Sequence, residues 1–313
     1  MTLVSIDAGV TANLSAALAD FEAGFTYPLG PHRRFRIVHG VDYSSFYRSQ
    51  GEARVVALTA GDRVTGVIAA ACRTLVLGDG SRCTALYLGD LKLSIEVRGG
   101  RALLGLIREI QAWAAPRTSR GWCVVMDGTT SDPGRYTGRC GIPAFRPVAK
   151  LTILRLDCQA GAIDPAWNAS SQEAAACFAE LSAGTIYADG ADRTLRSHMA
   201  PCWLRDPLGR SCGLLEDTLR AKRLYDDAGG ELLSAHLGRF AWRDAAAAVA
   251  CLLQARRRAA ALGRASLFCA IPAERTAELI ALGLGSGLTV AGATICASGL
   301  PDAQPWTIDT ADI

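Results

Sequence analysis

Features that mark metal-binding, membrane-spanning and nucleic-acid-binding proteins are missing from this sequence. The eleven cysteines never form a CxxC pair or a His/Cys cluster, whereas zinc sites need ligands paired at short spacing. No apolar run approaches the roughly 20 residues that a membrane helix needs. The net charge of +3 is too small to indicate a nucleic-acid partner. We therefore expect no metal, no membrane span and no bound nucleic acid.

Signals for secretion and for hydrolase chemistry are also missing. The opening residues, MTLVSIDAGV, contain no basic stretch followed by a long apolar run, so we expect no secretory signal. The odd number of cysteines fits a reducing compartment, and several lie in apolar runs, where a thiol acts as a small core hydrophobe. No Gly-x-Ser-x-Gly turn points to a serine hydrolase. The sequence predicts a cytoplasmic protein.

Length and hydrophobicity indicate a folded chain with more than one unit. The 313 residues are about twice the usual length of one domain. Half of the residues are hydrophobic and a fifth are charged. This excludes a disordered chain, because such chains carry too little apolar surface to form a core. We therefore expect two domains.

The first half alternates β-rich segments with one long helix. A hairpin is predicted over 54–71, and a second pair of strands ends at Leu93. Apolar residues at i, i+3, i+4, i+7 and i+11 from Leu103 predict a helix with one apolar face. Short apolar runs at 121–126 and 148–156 are typical of buried strands. The predicted class is α/β, with an α+β layer.

The second half repeats this order of elements more weakly. It runs through a strand, a long Ala-rich helix, a strand, a short helix and a final strand. We interpret this repeat as an internal duplication without clear sequence identity. The predicted division is a first domain at 1–157, a second domain at 165–300 and a loosely held tail at 301–313.

The segment from Tyr87 to Glu109 is the most informative one for chemistry. A strand ends, a short loop carries Arg98-Gly99-Gly100-Arg101, and an amphipathic helix begins at once. Glycines let backbone N–H groups approach an anion closely, and a helix N-terminus adds partial positive charge. The two arginines add charge-assisted hydrogen bonds. This loop therefore predicts a phosphate or pyrophosphate site, although an ordinary strand-to-helix turn also uses glycines.

The same segment resembles the acyl-coenzyme A binding motif of the GNAT (GCN5-related) N-acyltransferase superfamily. Asp90-Leu91-Lys92-Leu93 is similar to the family's strand end, and Arg98-Gly99-Gly100-Arg101 to its Arg-Gly-x-Gly-x-Gly/Ala loop, which is about two residues longer. The likeness implies two GNAT-like domains, each a mixed, mostly antiparallel sheet with flanking helices. It also implies that strand 121–126 separates from the preceding strand and admits a pantetheine arm.

The resemblance implies transfer of an acyl group from a thioester to a primary amine. The donor is expected to be acyl-CoA or the phosphopantetheine of an acyl-carrier protein, and the acceptor an amine-bearing small molecule or peptide. The residues that the resemblance implies for donor binding are Leu91, Leu93, Arg98, Gly99, Gly100 and Arg101. A backbone N–H near Leu91 to Leu93 would stabilise the oxyanion. Tyr136 would protonate the leaving thiolate.

Two carboxylates are candidates to accept the proton of the acceptor amine or to bind its ammonium group. Asp90 and Asp127 lie at the ends of the two strands that are expected to separate, and a primary amine with a pKa of about 10 must lose a proton to react. A turn or helix cap is an alternative role for Asp127. His236, in the corresponding strand of the second half, is interpreted as a structural histidine.

Two further functions remain open. One is a fatty-acyl transferase that lipidates a lysine or ornithine side chain of a peptide, and the other is a non-catalytic GNAT-like binding module. The second half has no Arg-Gly-x-Gly loop after Leu237, where the sequence reads GRFAWR. We therefore expect donor binding in the first half alone, with the acceptor between the halves.

Overall fold

The computed structural model describes residues 1–6, 10–30, 33–98, 101–129, 132–284, 287–302 and 304–313. The helices are α1 (Ala12–Ala23), α2 (Ser45–Arg48), α3 (Arg101–Ala114), α4 (Ser171–Leu181), α5 (Ala245–Ala261) and α6 (Thr276–Ala281). Within these described ranges, no helix is long and apolar enough to cross a membrane.

Strands supply most of the regular structure. They are β1 (Thr2–Ile6), β2 (Tyr27–Pro28), β3 (Arg34–Val38), β4 (Glu52–Ala60), β5 (Arg63–Val76), β6 (Arg82–Leu93), β7 (Gly121–Met126), β8 (Arg146–Asp157), β9 (Ile186–Asp189), β10 (Cys202–Arg205), β11 (Ser211–Glu216), β12 (Arg223–Asp226), β13 (Ser234–Trp242), β14 (Ser266–Pro272), β15 (Leu288–Ser298) and β16 (Trp306–Thr307).

The predicted elements of the first half are confirmed. β4 and β5 form the expected hairpin, and Gly61 at its turn has φ +62°, a left-handed conformation that favours glycine. α3 buries Leu106, Ile107 and Ile110 along one face, as the apolar spacing predicts. The strand predicted at 121–126 is β7. Periodicity and turn residues thus located the elements that surround the site.

The main sheet is continuous through both halves of the chain. Its central order is β1-β4-β5-β6-β7-β15-β8-β14-β13-β11-β10. Only β6·β7 and β13·β14 in this order are parallel, and each pair is joined by a helix, α3 and α5 respectively. A strand–helix–strand unit therefore lies on either side of β15 and β8. The fold is the predicted mixed, mostly antiparallel sheet with flanking helices.

The two halves exchange their last long strands. β15, from the second half, lies between β7 and β8, while β8, from the first half, pairs with β14. A smaller sheet, β12-β3-β2, also combines strands of both halves. The two halves are therefore joined by hydrogen bonds along one sheet. The division into two domains near residue 157 remains a prediction from the sequence.

The prediction of a loosely held tail from residue 301 is wrong for most of that segment. Trp306 is 2% exposed and Asp312 is 4% exposed. β16 pairs with β9, and the short 3-10 helix Thr310–Asp312 packs against β13 and β14. Apolar and charged side chains in this segment both have buried partners, so it belongs to the core.

Candidate functional site

A gap in the main sheet opens between β6 and β7. The two strands pair in parallel only at Leu86 with Gly121 and at Tyr87 with Trp122. Beyond these residues β6 continues along β5, while β7 continues along β15. The strands therefore diverge, as the resemblance implied, and their facing edges present backbone N–H and C=O groups to the space between them.

The β6 edge of this gap contains a β-bulge at Asp90. Ala69 on β5 faces Gly89, whereas Val67 faces Lys92, so β6 carries an extra residue between these pairs. Asp90 has φ +51°, a conformation that non-glycine residues adopt rarely and usually where the surroundings impose it. Bulges of this kind redirect backbone groups near binding sites. The bulge thus changes the direction of the backbone beside the gap.

A cavity of about 1140 Å³ extends through the gap to both faces of the sheet. On one face it follows α3, where Ile107, Ile110 and Ala114 contribute apolar walls. On the other face its lining includes Tyr27, Phe46, His39, Lys222, His236 and Phe268. Because a single space reaches both faces, two molecules entering from opposite sides can meet between β6 and β7.

A buried ionic cluster surrounds Asp90 on the second of these faces. Lys92 Nζ lies 2.9 Å from Asp90 Oδ1, and Tyr43 donates to Asp90 Oδ2 at 2.9 Å. His39 Nε2 lies 3.4 Å from the same oxygen, while His39 Nδ1 lies 2.7 Å from Glu22 Oε1. Burial alone raises the pKa of Asp90, but Lys92 and His39 outweigh it and hold that pKa below its usual range.

The carboxylates of this cluster have the spacing of a metal site, but an ammonium group lies among them. Within the described residues, Glu22, His39 and Asp90 place possible ligand atoms close together. Lys92 Nζ lies 3.2 Å from Glu22 Oε1 as well as against Asp90. The Lys92 ammonium group therefore balances the charges of both carboxylates, and we interpret the cluster as an ion-pair network.

Tyr136 and the donor-binding candidates of β6 line the cavity. Tyr136 packs with the α3 face, where burial and then the nearby thiols Cys123 and Cys296 raise its pKa above the usual value. Leu91 and Leu93 also line the cavity. Tyr136 is therefore protonated at neutral pH, which suits the predicted proton donor.

The candidate anion loop is described only at its ends. Arg98 lines the cavity and donates from Nε to the Leu93 carbonyl at 3.2 Å. Arg101 is the exposed first residue of α3. Gly99 and Gly100 lie outside the described residues. The described ends therefore place two guanidinium-bearing residues beside the start of α3.

Asp127 is separated from the other predicted site residues. Its side chain is 49% exposed, accepts from Thr294 Oγ1 at 3.0 Å and lies 3.6 Å from Lys150 Nζ. Thr294 belongs to β15, so this hydrogen bond connects the end of β7 to β15 at the protein surface. The structure brings Tyr136 and Asp90 to one cavity and places Asp127 outside it.

Two buried basic residues that line the cavity on the face opposite α3 were not predicted as site residues. Burial lowers the pKa of Lys222 to about 7, and its Nζ lies 4.2 Å from the Phe46 ring and donates to the Ile313 backbone oxygen. Burial also lowers the pKa of His236, whose Nδ1 lies 3.0 Å from Thr310 Oγ1. Neither residue belongs to a sequence motif. Only burial and a position in the lining of the cavity distinguish them as candidate site residues.

The equivalent gap in the second half is filled by the protein itself. β13 carries a matching bulge at Arg239, which has φ +48°. The Arg239 backbone N–H donates to Asp309 Oδ1 at 2.7 Å. Gly238 makes this contact possible, since a Cβ there would lie 2.7 Å from Asp309 Cγ. The repeated sequences Leu88-Gly89-Asp90 and Leu237-Gly238-Arg239 are the signal that could have identified both bulges.

Comparison with known proteins supports the fold. By sequence, no protein-family model and no curated protein matches the chain. Solved structures of Saccharomyces cerevisiae N-myristoyltransferase do match. One with bound myristoyl-CoA has a TM-score of 0.62 and 12% identity over 98% of this chain and 84% of the other. A second, with myristoyl-CoA and inhibitors, has the same TM-score and identity and is covered over 81% of its length.

These likenesses define the class of fold to which the chain conforms. N-myristoyltransferase is a GNAT-fold enzyme, and the present chain shares its fold over almost its whole length. The chain therefore has a GNAT-like fold, which is the fold that the resemblance implied. At this level of identity the comparison establishes architecture alone.

Proposed function

We propose that the protein is an N-acyltransferase that moves an acyl group from a pantetheine thioester to a primary amine. The observation that carries this proposal is the gap between β6 and β7, where one cavity connects the α3 face with the acceptor face. The donor enters from the α3 face and the amine from the face lined by Lys222 and His236. Their reacting atoms meet beside the Asp90 bulge.

The residues on the α3 side suit an acyl-CoA donor. The amides of a pantetheine arm resemble a peptide strand, so they can pair with the free edges of β6 and β7. The diphosphate then falls near the N-terminus of α3, where the helix dipole and arginines favour negative charge. The phosphopantetheine of an acyl-carrier protein would offer the same arm, so both donors belong to this proposal.

A hydrogen bond in the second half supports an assignment of the backbone group that binds the thioester oxygen. There, the bulge amide of Arg239 donates to an oxygen of Asp309. Asp90 stands at the equivalent bulge in the open gap, so we assign its N–H to the developing oxyanion. This lies one residue before the predicted Leu91 to Leu93. A preorganised donor in a water-poor site contributes about 2.7–4 kcal/mol to lowering the barrier.

Proton transfer is assigned to Lys222 and Tyr136. Asp90 is a poor base because its oxygens already accept from Lys92 and Tyr43. Neutral Lys222 takes the proton of the acceptor ammonium, after which the amine attacks the carbonyl carbon. The tetrahedral intermediate then expels the thiolate as the C–S bond breaks. Tyr136 protonates the thiolate, and the resulting Tyr136 phenolate takes the second proton from the nitrogen of the new amide.

Arg98→Ala should weaken donor binding by about 10- to 150-fold, because a hydrogen bond to a charged group contributes roughly 1.5–3 kcal/mol. Titration with an acyl-CoA by calorimetry measures this effect. Arg108→Ala is the matched control, since Arg108 is exposed farther along the same helix. Equal affinities of both variants and of the unaltered protein would place the diphosphate elsewhere.

Lys222→Met should lower kcat by at least 100-fold, within the usual range for removal of a general base. In the unaltered protein, kcat/KM should rise as the pH increases through about 7, because the neutral amine forms above the lowered pKa of Lys222. Mass spectrometry of the acylated product gives the rates. Lys150→Met, at an exposed lysine, is the control and should leave the profile unchanged. An unaltered profile in Lys222→Met would assign the base to another group.

A fatty-acyl donor is the second candidate, and the shape of the cavity favours it. The space continues along the apolar face of α3 to Gly121 and Phe145. The part of the cavity that follows the chain from Leu103 to Ala115 is about 18 Å long, as calculated from the helical rise. A panel of acyl-CoA lengths, tested with lysine- or ornithine-containing peptides, distinguishes short from long donors. Donor binding without product from any amine would instead favour a binding module.

A further inference from the structure

We propose that Asp90 is a positioning residue whose buried carboxylate holds the β6 bulge in its left-handed conformation and so keeps the oxyanion-binding amide aimed into the gap. The proposal rests on the proposed function for its catalytic consequence. It assigns Asp90 a role different from the two roles expected from the sequence, which are proton acceptor and ammonium-binding group.

The backbone conformation of Asp90 calls for a restraint. In the described part of the chain, the non-glycine residues with positive φ are Asp90, Cys140 and Arg239. Aspartate tolerates this region better than most residues but still prefers others. Such conformations persist where the surroundings impose them, and they are concentrated at functional sites.

The ionic cluster supplies that restraint. Both carboxylate oxygens of Asp90 have partners, Lys92 Nζ at Oδ1 and the Tyr43 hydroxyl at Oδ2. These partners are themselves fixed, since Lys92 also contacts Glu22 and His39 stacks on Tyr43 with ring centroids 4.5 Å apart. The side chains of Asp90, Lys92 and His39 are 7%, 3% and 1% exposed. Rotation of the bulge would therefore leave several charges buried without partners, which is strongly unfavourable.

The second half uses the same device with the charge reversed. Arg239, at the matching bulge, places its guanidinium 2.8 Å from Asp189 Oδ1 and over the rings of Phe178 and Tyr187. Both bulge residues have positive φ, and both have side chains held by buried or half-buried ionic partners. In each case glycine occupies the preceding position, while the bulge residue itself is charged. An anchored charged side chain is thus the common feature of the two bulges.

Three substitutions separate this role from acid–base catalysis. Asp90→Gly removes the carboxylate but permits positive φ, whereas Asp90→Ala removes it and disfavours that conformation. Asp90→Asn keeps hydrogen-bonding capacity and tolerance of positive φ without the charge. We expect kcat to fall about ten-fold more in Asp90→Ala than in Asp90→Gly, with Asp90→Asn within about ten-fold of the unaltered protein and an unchanged pH profile. A comparable loss of 1000-fold or more in all three variants would overturn the proposal in favour of a direct proton-transfer role.

An activity-independent measurement tests the same proposal. At an ordinary strand position, glycine lowers stability relative to alanine, whereas at a residue with positive φ the order reverses. Urea denaturation should therefore show a higher midpoint for Asp90→Gly than for Asp90→Ala. Ala85→Gly, in the same strand, is the control and should lower the midpoint. A lower midpoint for Asp90→Gly than for Asp90→Ala would overturn the proposal. This comparison remains decisive if no acyl transfer is detected, which would refute the proposed function separately.

Discussion

Replacing Asp312 with alanine is expected to lower the free energy of unfolding by about 3–5 kcal/mol, the usual cost of breaking a buried ion pair from one side. Its carboxylate lies 2.7 Å from Arg73 Nη1 and also accepts from Arg196. Arg73 belongs to β5 of the first half, whereas Arg196 lies in the second half and pairs with Glu216 at 2.8 Å. The substitution therefore removes the carboxylate partner of buried Arg73 and one of the two carboxylate partners of Arg196, and it weakens the attachment of residues 310–312 to both halves.

Urea denaturation at neutral pH measures this effect, and Asp302→Ala, at an exposed residue, is the control. Burial raises the pKa of Asp312, but Arg73 and Arg196 outweigh it and hold the pKa below its usual value. The stabilisation is therefore present above about pH 4 and is lost as the pH falls further. The difference between the two proteins should shrink in acid. A change below 1 kcal/mol at neutral pH would show that the cluster contributes little.

Filling the gap should abolish donor binding while the fold is retained. Val125→Trp is expected to weaken binding of acyl-CoA by at least about 100-fold, equivalent to roughly 2.7 kcal/mol. Val125 is half-buried, lines the cavity on β7 and lies two residues from Cys123, so both side chains lie on one face of the strand. An indole there occupies the space that the pantetheine arm needs, at a position where β6 provides no paired backbone.

Calorimetric titration with acyl-CoA measures the binding, and thermal denaturation verifies the fold. Leu208→Trp provides the control, since Leu208 is 75% exposed in the turn between β10 and β11. It should leave both affinity and melting temperature unchanged. Undiminished binding in a folded Val125→Trp variant would mean that the donor does not pass between β6 and β7, and the proposed function would lose its main support.

Local sequence patterns predicted the strands and the helix that surround the cavity but not all of the side chains that line it. The strand–loop–helix from Tyr87 to Glu109 could be identified because periodicity, glycines and flanking arginines occur within one short segment. Asp127 was selected by the same local reasoning and lies outside the cavity, since a position at a strand end does not define which face a side chain occupies. Glu22 and His39 were missed because Glu22 meets Lys92, and His39 meets Asp90, only in the folded chain.

The sequence by itself determined the elements, the repeated strand–helix–strand order and the loop that resembles an acyl-CoA motif. These properties depend on hydrophobic periodicity and turn chemistry, which act over a few residues. Only the tertiary structure decided that β8 and β15 are exchanged, that residues near the chain's end fill one of two equivalent gaps, and that Lys222 faces the other. Such contacts join residues as far apart as Arg73 and Asp312, separated by 239 positions. Their formation depends on burial and charge pairing in the assembled core, which no local pattern specifies.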